Sequence, residues 1–194
     1  MSHGSQTGFG LSTGEVKRRH ILLKSLIVGC VAGLVGSAFR VSLSFAETAR
    51  IAWIAHATWP WKIVIALGLG SVGGGLGVWL VRRFSPEAAG SGIPHLKSVV
   101  LGERTLNWKR VLPVKFVAGI AGIGGGLALG REGPTIQMGA ATGLAVAESF
   151  KVVAGEGERK ALISAGAGAG LAAAFNAPLA GVIFVLEELQ GNFT

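Results

Sequence analysis

The chain has 194 residues, of which 32 are glycine, 50% are hydrophobic and only 14% are charged, and its mean hydropathy is +0.56. Soluble domains carry about 25% charged residues and about 7% glycine, and disordered chains combine low hydrophobicity with high charge. Both classes are disfavoured, and an integral membrane protein is the first reading. The formal charge of +8 comes from 18 Lys and Arg against 10 Glu with no Asp. These charges fall between apolar runs instead of forming an aromatic-laced stripe, which argues against nucleic acid as a partner and for positive residues that orient a chain in a bilayer.

At roughly 20 residues per crossing, the length admits five or six helical segments and one membrane unit. Residues 1–16, rich in Gly, Ser and Thr, read as a flexible cytoplasmic tail. Lys17, Arg18, Arg19 and His20 then precede an apolar run from Ile21 to Phe45 that Lys24 and Arg40 interrupt. This order also fits a signal peptide cut near Gly36-Ser37-Ala38, but the long leader and the later apolar runs weigh against it. Trp53, Trp59 and Trp61 mark a loop of interfacial character before an uncharged run from Ile63 to Val81, which ends at Arg82 and Arg83. A cytoplasmic N-terminus satisfies the positive-inside rule at both basic clusters.

Lys97, Arg104, Lys109 and Arg110 precede a third run from Val111 to Gly130, which contains Lys115. A fourth, from Pro134 to Phe150, leads to a charged loop. The last, from Ala161 to Leu186, is expected to break into two helices at Asn176-Ala177-Pro178, because proline removes a backbone donor and disfavours helix at the residue before it. Glycines four apart recur at 29/33, 73/77, 122/126, 139/143 and 166/170, and close helix packing explains most of them. Cys30 is the single cysteine, so no intrachain disulfide forms. The histidines are scattered and offer no metal site.

Two segments carry more than packing. Gly90-Ser91-Gly92-Ile93-Pro94 and Gly130-Arg131-Glu132-Gly133-Pro134 each set glycines before a proline expected at the first helical position. Each thus places a helix N-terminus, with its orphan N–H groups and partial positive charge, inside a membrane protein. An anion suits such a site, and broken helices that face a cavity recur in transporters. Ser91 adds a hydroxyl donor, which fits a weakly held halide. The plainer reading is a tight turn between packed helices. Glu132 is an ionisable group among apolar neighbours and hence a functional candidate; an ion pair with Arg131 is the structural alternative. If its carboxylate occupies the anion site when ionised and leaves it when protonated, proton and anion compete for one place. Glu187 and Glu188 close the last run, Glu187 reading as solvated and one of the pair as a possible proton loader.

The segments GSGIP at 90–94, RVLPVKF at 110–116, GREGPTIQMG at 130–139 and GAGAGLAAAFNAPLAGVIFVLEEL at 166–189 together resemble the CLC family of chloride channels and proton-coupled chloride exchangers. The likeness runs from about residue 20 to the end. It implies an all-α polytopic membrane protein with broken, re-entrant helices, residues 17–194 forming the first half of an inverted repeat. It further implies an anion site at residues 90–94 and 130–134, with Ser91 as the chloride-coordinating hydroxyl and Glu132 as the gating, proton-carrying glutamate. Serine where nitrate-preferring relatives carry proline favours chloride. Glu188 matches the internal proton-transfer glutamate of exchangers, and Lys115 and Arg131 match basic positions beside the pathway. Implied partners are chloride, protons, the lipid bilayer of the cell membrane, a C-terminal half, and a second complete subunit in a homodimer. Chloride is the substrate, and no cofactor or metal is implied.

The chain departs from the family in resembling only the first of its two halves, and with no Tyr it lacks the hydroxyl that completes the central site. The expected function is therefore part of a Cl−/H+ antiporter and not an enzyme, with a gated chloride channel as the alternative. Other classes have small footholds. Gly68-Leu69-Gly70-Ser71-Val72-Gly73 fits a dinucleotide fingerprint but has no acidic residue at the ribose distance. Ser91 and His95, four apart on one helix face, suggest an intramembrane hydrolase without an orienting carboxylate. A membrane subunit that only packs helices is the third.

Overall fold

The computed structural model describes residues 13–152 and 157–189. Among them there are only helices and connections: α1 (Thr13–His56), α2 (Trp61–Phe84), a 3-10 turn (Pro86–Ala88), α3 (Ile93–Leu101), α4 (Trp108–Gly119), α5 (Glu132–Ser149), α6 (Gly157–Phe175) and α7 (Pro178–Phe184). π-helical turns extend α4 over Ile120–Gly124 and α7 over Val185–Leu189. The tail read over 1–16 falls for the most part outside the described residues, but α1 already includes Thr13 to Val16. The same helix runs unbroken past Lys24, Gly36-Ser37-Ala38 and Arg40 and packs on α5 and α6, as an integral element of the fold would.

Two helices are long and apolar enough to cross a bilayer, Arg19–His56 and Trp61–Phe84. At 1.5 Å per residue, the 24 residues of α2 extend about 36 Å, enough for a hydrocarbon core of about 30 Å. α2 buries none of its residues against the rest of the chain. By contrast α5 is buried on all sides from Thr135 to Leu144. α6, α1, α4 and α3 all pack against it, so its all-round apolar surface meets protein where that of α2 does not. Leu96 of α3, Val111 of α4, Ile136, Ala140 and Leu144 of α5 and Ile163 and Ala167 of α6 form the main core. α1 contributes Phe39 and Leu43 to a second cluster with Ile123 and Met138.

The tightest contact is the crossing of α5 with α6. A Cβ at Gly139 or Gly143 would strike the α6 backbone at Gly166 or Leu162, and one at Gly166 or Gly170 would strike α5. Gly73 and Gly77 similarly admit the backbone of Ala121 and Ala118. Gly29 and Gly33 have open space beside them, so the packing expected of that pair is not made within the described residues. The run from Val111 to Gly130 is not one helix: it ends at Gly124, and the chain turns at Gly125 and Gly126 before an extended approach to Gly130. Nor does the Gly68–Gly73 fingerprint join a strand to a helix, since it lies within α2. The break at 176–178 is as expected, with Pro178 as the first residue of α7.

Candidate anion and proton site

The connection from α2 to α3 is held from three sides. The Lys115 ammonium, on α4 and only 4% exposed, donates to the carbonyls of Ala88 (2.9 Å) and Gly90 (2.6 Å). From α5, the fully buried Gln137 donates through Nε2 to the Glu87 carbonyl (2.8 Å). The Glu87 carboxylate accepts from the Asn107 amide (2.9 Å), just ahead of α4. Gly92 completes the turn at φ +81°, a left-handed conformation that a side chain disfavours, and a Cβ there would run into Gln137. α3 begins at Ile93, so Pro94 is its second residue and not its first. At that position the missing N–H is still one of the helix's orphans. Ser91 precedes the helix, so it does not share a helix face with His95 as the hydrolase reading required. The Ser91 Oγ instead accepts a long bond from the Ile93 amide (3.4 Å), and the buried His95 Nδ1 has no partner.

The second segment meets the first. Gly133 lies against the backbone of Ser91, leaving no space for a Cβ. α5 begins at Glu132, so Pro134 is its third residue. The first-turn amides of Glu132 and Gly133 have no intrahelical acceptor, while Thr135 Oγ1 donates to the carbonyls of Arg131 (3.0 Å) and Glu132 (2.8 Å). The Glu132 carboxylate folds back over Gly130, into the space that a side chain at 130 would need. It makes no ion pair with Arg131 among the described residues; Arg131 is exposed and does not line the cavity described next.

That cavity, about 760 Å3, is walled by both segments: Gly90 and Ser91 from one, Gly130, Glu132, Gly133 and Pro134 from the other, with Lys115 between them. The backbone of Gly92 turns behind it, and Ile93 and Pro94 lead α3 away; neither of those two lines it. Arg82, at the end of α2, also faces it. Read from the sequence only as an orienting charge, Arg82 was missed as a cavity residue; the signal was its place in a last helical turn eight residues before the glycine loop. Gln137 was missed as well, although a fully buried amide in an apolar helix is a group that must find a partner. Glu188 is not in the cavity. It sits in the π-helical turn after α7, half-exposed, with an oxygen 3.6 Å from the Lys97 ammonium of α3. Glu187 is exposed.

Such an arrangement is that of an all-helical membrane protein in which broken helices open on a largely apolar cavity with a few polar and charged groups at its wall. The sequence profile of the voltage gated chloride channel family matches residues 72–194, and the chain belongs to that family. It is 45% identical over 179 residues to the H(+)/Cl(-) exchange transporter ClcA of Vibrio cholerae, covering 89% of this chain and 37% of the relative. The ClcA of Klebsiella pneumoniae strain 342 is 43% identical over 175 residues with the same coverage. Among solved structures, a slow cyanobacterial Cl-/H+ antiporter superposes with a TM-score of 0.79 at 39% identity, over 87% of this chain and 40% of that one. A CLC-type fluoride/proton antiporter superposes at 0.72 and 25% identity, over 92% of this chain and 41% of that one. The chain thus spans well under half the length of these relatives.

Proposed function

We propose that this chain is the first half of a proton-coupled chloride antiporter of the cell membrane, acting with a C-terminal half and, as complete subunits, in a homodimer. The observation that carries the reading is the single cavity on which the Ser91 loop, the Glu132 carboxylate and the Lys115 ammonium converge. A chloride ion there would take hydrogen bonds from the Ser91 hydroxyl and from the first-turn amides of α5, with Gly90 in one wall, Gly130 and Gly133 in the other, and Gly92, Ile93 and Pro94 shaping the turn behind Ser91 without lining the cavity. Lys115 and Arg82 raise its local concentration through their charge, and Arg131 does so from the exposed side. None of these donors is a closely bound point charge, which keeps binding weak enough for release.

The Glu132 carboxylate is an anion tethered at the same place. Ionised, it competes with chloride for the amides; protonated, it loses that attraction and swings out, carrying its proton with it. Exchange follows when Glu188 delivers protons from the other side. Sequence identity to relatives that are named H(+)/Cl(-) exchange transporters supports chloride and protons as the transported ions, and such a protein performs no covalent chemistry.

The test is reconstitution of the chain together with its companion half in liposomes under a chloride gradient. Wild type is expected to drive protons uphill, whereas Glu132→Ala and Glu188→Gln each abolish proton movement and leave chloride flux. A wild-type assembly that conducts chloride without moving protons makes the protein a channel and removes the role given to Glu188.

A further inference from the structure

A second cleft, of about 340 Å3, lies outside the site above, between the end of α2 and the first turns of α4. Arg83, Lys109 and Arg110 surround it, and Phe84, Pro113 and Val114 form its apolar wall. All three cations are exposed, and none has a carboxylate within ion-pair distance among the described residues. Two acids beside the start of α4 are committed elsewhere: Glu87 accepts from the Asn107 amide, and Glu148 accepts from Trp108 Nε1 (2.7 Å) and pairs with Arg159 (3.6 Å). The cations are instead braced by rings, Arg83 over Phe84 and Lys109 over Trp108, with the charge 5.6 and 5.7 Å from the ring centroids.

Like charges without an ion-pair partner repel one another, and two of these sit in the first turn of α4, where the helix dipole is also positive and the turn holds no acidic residue of its own, although the Glu87 and Glu148 carboxylates reach that end through the Asn107 amide and Trp108 Nε1. An arrangement of this kind is stabilised by a bound anion. Its position says which anion. Arg83 lies in the last turn of a helix that crosses a bilayer, and Trp108 is of the type that settles at headgroup depth. Three cations at that level, above an apolar wall, match a phosphate linked to an apolar tail better than a free inorganic ion.

We infer that this cleft binds the phosphate headgroup of an anionic phospholipid, Arg83, Lys109 and Arg110 holding the phosphodiester and Phe84, Pro113 and Val114 the start of the acyl region. The inference goes beyond the transport reading and does not depend on it; it requires only that α2 crosses a membrane. The full chain in detergent is titrated with dioleoyl phosphatidylglycerol or dioleoyl phosphatidylcholine, and retained lipid is counted by native mass spectrometry. One phosphatidylglycerol is expected to be held at least about tenfold more tightly than phosphatidylcholine. Arg83→Gln, Lys109→Gln and Arg110→Gln are each expected to weaken it about fivefold, the effect of one cation near a lipid surface. Arg104→Gln, an exposed cation outside the cleft, is expected to leave it unchanged. Because the residues changed are on the surface, the single variants are expected to keep their fold. Equal retention of the two lipids, equal loss in Arg104→Gln, or displacement of phosphatidylglycerol by inorganic phosphate at matching concentration would each overturn the assignment.

Discussion

Lys115 is the residue on which the candidate site most depends. A buried ammonium is costly unless its hydrogens find acceptors, and here they find the two carbonyls that shape the α2–α3 connection. One side chain thus fixes the wall on which Ser91 sits and adds positive charge to the cavity. Lys115→Met keeps the aliphatic stem and leaves the Ala88 and Gly90 carbonyls without a donor, which is expected to destabilise the chain by about 2 to 4 kcal/mol. Thermal unfolding in detergent reads this directly, with Arg131→Met, an exposed cation, expected to shift the midpoint little. Equal midpoints for Lys115→Met and wild type would show that the loop stands without its ammonium. Lys115 and the 90–94 and 130–134 segments were visible in the sequence because polar residues and glycine–proline pairs stand out in apolar runs. Arg82 and Gln137 were not, because which side chain of a helix meets a cavity, as Arg82 does, or a neighbouring loop, as Gln137 does, is decided by packing that no local pattern encodes.

At the scale of helices, the α5–α6 crossing sets how closely the core can close. Backbone against backbone at Gly139, Gly143, Gly166 and Gly170 gains van der Waals contact over a long seam. Any side chain forces the two axes apart and, because α5 begins at Glu132, moves the carboxylate with them. Gly166→Val is therefore expected to lower the melting temperature by many degrees and to abolish chloride binding measured by calorimetry. Gly33→Ala is the opposite case: with open space beside it, the better helix former is expected to be neutral or to stabilise by up to about 1 kcal/mol. The two share a four-residue glycine spacing in the sequence, so spacing predicts small residues on one face but not what that face meets. Helix breaks follow the same rule. The one at Asn176–Pro178 was legible because proline enforces it, whereas the end of α4 at Gly124 was not, since glycine permits a turn without requiring one.

Over the whole molecule, charge is divided between two ends. Arg82, Arg83, Lys97, Arg104, Lys109 and Arg110 all fall between the last turn of α2 and the first turn of α4, and the Asn107–Glu87 bond ties the two ends of that stretch together. At the far end of α2 stand Trp53, Trp59 and Trp61, each more than half exposed, with Arg50 and Lys62 the cations flanking them. Positive residues are retained on the cytoplasmic side during insertion, which predicts the arginine end inside and the tryptophans outside. Single cysteines report this orientation once Cys30, the one native thiol, is replaced by alanine. In intact cells a membrane-impermeant maleimide is expected to label Thr58→Cys and to spare Arg104→Cys, which reacts only after the membrane is opened. The reverse pattern would invert the chain. The cavity containing Glu132 would then face the opposite compartment, Glu188 could no longer be the inward proton donor, and the phospholipid cleft would lie in the outer leaflet.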